Sequence, residues 1–182
     1  TPLGDDEQQS IETYQKGVEI TDQATQEFLD ELDALDKPVT VVFYGDHLPG
    51  IYSSASEDAN NSLALHLTDY FIWSNKASST QGNKASDAAY SSPNFFVAQA
   101  AEHMDAEVSP YLAFLTEMHA KIAAMEPPVV NKSHRSEERR VGMSEDDFDA
   151  ETKQLLADYK LIQYDITAGK NYLKDTDFMT LP

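Results

Sequence analysis

The sequence predicts an α/β fold from three observations. An amphipathic helical pattern runs straight into a short apolar strand, a second apolar strand follows, and proline-started helices fill the second half. In the first pattern Tyr14, Val18, Thr21, Thr25, Phe28, Leu32 and Leu35 recur at alternating spacings of four and three, which marks one face of a helix. Glu19, Asp22, Glu27, Asp30, Glu31 and Asp33 crowd the remainder and read as a solvated face. Asp36-Lys37-Pro38 ends this helix, because the residue before a proline disfavours helical backbone. Val39 to Tyr44 then reads as a buried strand, and helix, tight turn and strand form the αβ half of a βαβ unit.

Leu48 to Leu67 is rich in Ser, Asn and acidic residues and reads mostly as loop. Asp69 to Ser74 is the second strand, and Lys76 to Ser91 is a polar connection low in large apolar residues. Ser92-Pro93 pairs a cap with proline at the first helical position; the helix from Asn94 carries Phe95, Phe96, Gln99, Ala100 and His103. Ser109-Pro110 repeats the signal, with Leu112, Leu115, His119 and Ile122 on one face of a helix expected to run to Met125 before Glu126-Pro127-Pro128 stops it. His103 and His119, set among apolar residues, read as packing residues. Ser133 to Gly142 departs from its surroundings, with Arg135, Arg139 and Arg140 close together; it reads as a solvated linker or as sequence foreign to the domain. A last helix covers Ala150 to Tyr164 with Leu155, Leu156, Tyr159 and Ile162 inward, and Lys170 to Pro182 reads as a tail.

A length of 182 residues suits one domain, and the 41% hydrophobic content can build a core. Thirteen basic against 32 acidic residues give a formal charge of -19, which excludes binding of nucleic acid or anionic headgroups through a broad basic patch. An anionic substrate would need local help, and a divalent cation supplies it. Absence of cysteine excludes disulfide and thiolate chemistry. No apolar run approaches the roughly 20 residues that span a bilayer. The chain opens at Thr1 without methionine in a polar stretch, so it reads as a piece of a longer protein.

Chemistry concentrates at the end of the first strand, in Gly45-Asp46-His47. Asp46 offers a hard anionic oxygen and His47 an imidazole nitrogen, a pairing suited to Mn²⁺ or Zn²⁺. Gly45 is expected to turn the backbone sharply, so that the two consecutive side chains need not point to opposite faces. The plainer reading is a turn in which Asp46 bonds its own backbone and His47 is solvated. His66 either reaches the mouth of the site or is a solvated loop residue. Tyr44 and Tyr52 are either core or substrate-side residues, as is Trp73.

The run Val41-Val42-Phe43-Tyr44-Gly45-Asp46-His47 resembles the metal-binding strand end of the sulfatase and alkaline-phosphatase superfamily. Thr68 to Lys76, Ser92-Pro93-Asn94-Phe95-Phe96 and Leu161-Ile162-Gln163-Tyr164-Asp165 make it similar, more narrowly, to the lipoteichoic acid synthase-like phosphoglycerol transferases. The resemblance implies the C-terminal part of an alkaline-phosphatase/sulfatase-like sandwich, with a mostly parallel central sheet flanked by helices. It implies residues 1–132 as part of the catalytic domain, 133–149 as a linker, and 150–182 as the C-terminal helix and tail. Asp46 and His47 match two ligands of a catalytic divalent ion, Mn²⁺ first and Mg²⁺ or Zn²⁺ as alternatives; His66 and Tyr44 would lie on the substrate side. The family's threonine nucleophile, third acidic ligand and membrane anchor would lie upstream, so no catalytic nucleophile is expected here. The implied activity moves glycerol phosphate from a phosphatidylglycerol-type lipid to a glycerol phosphate polymer of the cell envelope, at the extracellular face of a bacterial membrane. The alternatives are sulfate or phosphate ester hydrolysis in the same superfamily, and a non-catalytic extracellular binding module.

Overall fold

The computed structural model describes residues 3–58, 61, 64–83, 90–126, 129–132 and 144–182. They form two compact units, one up to Gly82 and one from Asn83 onward. The linker expected over Ser133 to Gly142 lies outside the described residues, as do residues 84–89 of the polar connection.

In the first unit, α1 spans Asp5–Asp33, with Asp5, Asp6 and Glu7 in the first turn where the helix dipole favours negative charge. No residue of α1 is buried. Of the predicted inner face, Thr25 and Leu32 are half-buried, while Val18 stays 47% and Phe28 50% exposed. The helix period is therefore real, but among the described residues much of its apolar stripe stays exposed.

Strand β1 (Thr40–Tyr44) pairs with β2 (Tyr70–Ser74), and both lie where the sequence places them, but β1 is half-buried to exposed along its length instead of buried. The ladder is antiparallel, with Thr40 opposite Ser74 and Tyr44 opposite Tyr70. The α/β class is observed, but the mostly parallel sheet is not: among the described residues both ladders are antiparallel. A parallel pair needs a crossover carrying the chain back to the strand's starting end. Among the described residues between β1 and β2 there are a one-turn helix α2 (Ser53–Ser56) and short turns, and the chain re-enters the sheet beside the end it left. Phe43 and Phe71 stack across the ladder with ring centroids 5.1 Å apart.

Asn75 organises this unit. Fully buried, it donates from Nδ2 to the carbonyls of Leu32 (3.0 Å) and Lys37 (2.8 Å), and its Oδ1 accepts from Val39 N–H at 3.0 Å. One side chain thus joins the last turn of α1, the turn before Pro38 and the entry to β1. Beside it, Asp33 Oδ1 accepts from Lys76 N–H at 2.7 Å, and the Thr40 and Ser74 hydroxyls lie 2.8 Å apart.

The second unit holds the apolar core. A 3₁₀ turn at Pro93–Phe95 leads into α3 (Phe96–His103), followed by α4 (Pro110–Lys121), strands β3 (Ile122–Glu126) and β4 (Val129–Lys132), and α5 (Ala150–Thr167). Phe95, Ala98, Leu115, Met118, Ile122, Phe148, Leu156 and Tyr159 form one buried cluster. His103 and His119 are buried, and the His119 ring lies 4.8 Å from that of Phe95, consistent with packing roles. Ser109 caps α4 as expected, accepting from Leu112 N–H at 3.4 Å. Ser92 does something else: its hydroxyl donates to Asn94 Oδ1 (2.5 Å) and accepts from Met125 N–H (2.9 Å), tying the turn to β3.

Two expectations fail in this unit. The α4 helix stops at Lys121 rather than Met125, because Ile122 adopts φ -123°, ψ 107° and begins an antiparallel pair with β4. The prolines that follow favour extended backbone ahead of them, and that influence extends the strand instead of trimming a helix. The C-terminal tail is also structured. Asp165 accepts from Tyr172 N–H and Leu173 N–H, both at 3.0 Å, and the Phe178 ring lies 6.0 Å from that of Tyr111.

Candidate metal centre

Strand β1 delivers Tyr44, Gly45, Asp46 and His47 in succession to its C-terminal end. Tyr44 closes the strand opposite Tyr70 and is 48% exposed. Gly45 has no left-handed φ, and what distinguishes the position is the close approach of Thr68. A Cβ there would stand 3.0 Å from Thr68 Cβ and 3.2 Å from its Cγ2, closer than a relaxed contact. Gly45 N–H donates to Asp69 O at 3.1 Å, and its carbonyl accepts from Thr68 Oγ1 at 2.7 Å. The strand end is thereby pinned on both its polar groups.

Beyond that pin, both readings of Asp46 are partly right. Its Oδ1 accepts from His47 N–H at 2.9 Å, an Asx-type bond to its own backbone. Its Oδ2 points instead toward His47 Nε2, 3.6 Å away. On the far side of the ring, His47 Nδ1 lies 2.9 Å from the Leu48 carbonyl. A carbonyl only accepts, so this contact suits an Nδ1 that carries a proton. Both side chains are about four-fifths exposed.

These donors fit a divalent cation. A bound ion would be held by Asp46 through a carboxylate oxygen and by His47 through an imidazole nitrogen, a donor pair suited to Mn²⁺ or Zn²⁺. Among the described residues no group of three or more His, Asp or Glu side chains converges as a metal site. His66 ends an exposed 3₁₀ turn, Ala64–His66, two residues before Thr68.

The loop after the motif is tied down by α1. Glu7 accepts from Ser54 N–H at 3.1 Å and from the Ser54 hydroxyl, and these bonds hold its carboxyl below the ordinary range. Sequence reasoning finds neither Glu7 nor Thr68 as part of the site. Thr68 begins one of the stretches that carry the family resemblance, but its pairing with Gly45 is a contact between strand ends that no local pattern announces.

Comparison with known proteins bears on this geometry. Residues 1–106, which include Tyr44, Asp46, His47 and His66, match the Sulfatase family. A solved Streptococcus pyogenes phosphoglycerol transferase, GacH in complex with sn-glycerol-1-phosphate, is 35% identical and superposes with a TM-score of 0.76, covering 100% of this chain and 41% of that one. A Rhizobium meliloti (strain 1021) protein, provisionally assigned to cyclic beta-1,2-glucan modification, is 25% identical over 191 residues, covering 97% of this chain and 28% of the relative. The chain thus spans less than half the length of either protein. With the family match covering more than half of its residues and the likeness to a member-type transferase running end to end, this chain belongs to the sulfatase family.

Proposed function

We propose that the chain is part of a metal-dependent phosphoglycerol transferase, and that Asp46 and His47 are two of the protein ligands to its catalytic ion, Mn²⁺ in the first instance. The observation that carries the reading is the end-to-end likeness to a phosphoglycerol transferase; the disposition of Oδ2 and Nε2 at the strand end supports it. When bound, the ion neutralises charge on the phosphoryl oxygens and lowers the pKa of an attacking hydroxyl.

The chain's own residues set the terms of that chemistry. Asp46 would contribute one negative charge and His47 none, so these two ligands alone would leave one positive charge of a divalent ion uncompensated, in a protein of formal charge -19. Leu48 O contacts His47 Nδ1, and Asp46 Oδ1 is occupied by backbone, which leaves Oδ2 and Nε2 as the donors. Tyr44 and His66 are proposed to face the substrate. In the intact protein a threonine outside residues 1–182 would attack the phosphorus of a phosphatidylglycerol-type lipid and release diacylglycerol. An acceptor hydroxyl on a cell-envelope polymer would then displace the threonine oxygen. The glucan modification ascribed to the Rhizobium relative is consistent with a polymeric acceptor. A lipid donor and a polymer acceptor would place the work at the extracellular face of a bacterial membrane; among the described residues no helix is long and apolar enough to cross one.

The test is release of glycerol phosphate from phosphatidylglycerol by the intact protein, with and without Mn²⁺. Metal-dependent release should fall by at least about 100-fold in Asp46→Ala and in His47→Ala, as expected when a metal ligand is removed. Hydrolysis of simple sulfate or phosphate esters without transfer would move the function to a hydrolase of the same family. Turnover unchanged by Asp46→Ala would refute the site.

A further inference from the structure

Both polar groups of the Gly45 backbone are held by consecutive residues of the other strand's entry. Gly45 N–H reaches Asp69 O at 3.1 Å, and Thr68 Oγ1 donates to Gly45 O at 2.7 Å. The Thr68 Cβ and Cγ2 also occupy the space that a side chain on Gly45 would need. That Gly45 carbonyl belongs to the peptide joining Gly45 to Asp46, so fixing its plane fixes the direction in which Asp46 leaves the strand. Asp46 Oδ1 then bonds His47 N–H, and His47 Nδ1 the Leu48 carbonyl. The contacts form one series from the Thr68 hydroxyl to Asp46 Oδ2 and His47 Nε2, which face each other at 3.6 Å.

We infer that Thr68 is a positioning residue for the metal centre: its hydroxyl sets the Gly45–Asp46 peptide, and through it the spacing of the Asp46 and His47 donors. The inference rests on the metal-site reading above. Thr68 itself coordinates nothing and takes no part in the reaction. Its bond is accessible to solvent, so water can partly replace it, and the effect of losing it is that of a single neutral hydrogen bond.

The experiment is calorimetric titration of the metal-free intact protein with Mn²⁺ alone, below the unfolding temperature, on wild type, Asp46→Ala, Thr68→Val, Thr68→Ala and Thr68→Ser. Thr68→Val and Thr68→Ala should bind Mn²⁺ about three- to ten-fold more weakly, while Thr68→Ser should stay within about two-fold of wild type. Alanine and serine differ by one oxygen atom, so that pair reads the hydroxyl even if valine disturbs folding. A residue that only stabilised the fold would lower the melting temperature without altering affinity in the folded range. Thr68→Ala binding like wild type, while Asp46→Ala does not bind, would overturn the role of Thr68 and leave the metal site standing. Thr68→Ser binding as weakly as Thr68→Ala would overturn it too. Wild type that binds no Mn²⁺ would remove both readings together.

Discussion

Residues 83–182 bury an apolar cluster that includes Phe95, Leu115, Met118, Ile122 and Leu156, whereas the fully buried described residues of 3–82 are Ser74, Asn75 and Thr80, all polar. The second unit is ordered by removing hydrocarbon from water, the first by directional bonds: Asn75 to three backbone groups, Asp33 to Lys76, Glu7 to Ser54 and Thr68 to Gly45. The difference matters because the candidate metal donors sit in the polar-pinned unit. Hydrogen bonds fix direction where apolar contacts fix mainly proximity, and two donor atoms held a few ångströms apart need direction.

The contrast breaks first, if it is wrong, on core truncations. Phe95→Ala should destabilise the second unit by about 3–5 kcal/mol, through lost burial and the cavity left behind. Phe28→Ala on the exposed stripe of α1 should cost within about 0.5 kcal/mol in this chain. Urea unfolding of both variants measures the pair, and equal costs would show that α1 has an apolar partner after all.

A next, smaller effect sharpens the account of the first unit. Asn75→Ala removes the side-chain partner of Val39 N–H and of the Lys37 carbonyl and one of the partners of the Leu32 carbonyl, all part-buried bonds, and should cost about 1–3 kcal/mol. Hydrogen exchange at the Val39 amide should accelerate correspondingly, while amides of α4 and α5 keep their protection. If the α4 and α5 amides lost protection equally, the two units would not be separately ordered.

The smallest effect is one of pH, and its sign differs between the units. Glu7 is held below its ordinary value near 4.5 by the Ser54 bonds, so its contribution is present above that pH and is lost as pH falls through the lower folded value. Tyr159 is pushed above its ordinary value near 10.0 by burial, so its contribution is present below pH 10 and is lost as pH rises toward the folded value. Acid should therefore loosen the loop around Ser54 first, and alkali the packing of α5 first. Glu7→Gln should flatten the acid arm and leave the alkaline arm alone, a result readable by exchange or fluorescence titration.

What could be read from sequence was local. The β1 and β2 strands, the Ser109-Pro110 start of α4 and the inward face of α5 each announce themselves within a few residues. The Asp46-His47 pairing was legible for the same reason, since adjacent residues at a strand end share one neighbourhood. Antiparallel pairing was not, because it depends on how residues 45–69 route the chain. The β3 strand was missed because Ile122 and Met125 continue a helical period while their backbone answers to a partner strand. Gly45 was recognised for its freedom, yet its distinctive feature is the close approach of the Thr68 side chain.

The Asn75 junction has a consequence for the order in which the chain is made. The groups it ties, at Leu32, Lys37 and Val39, are synthesised 36 to 43 residues before it. The α1 helix can form from its own hydrogen bonds as it emerges, but the turn and the start of β1 have no partner until residue 75 follows. The strand end that carries the candidate metal donors therefore waits on a loop closure across that whole interval. The donors at Asp46 and His47 are laid down early and aligned late.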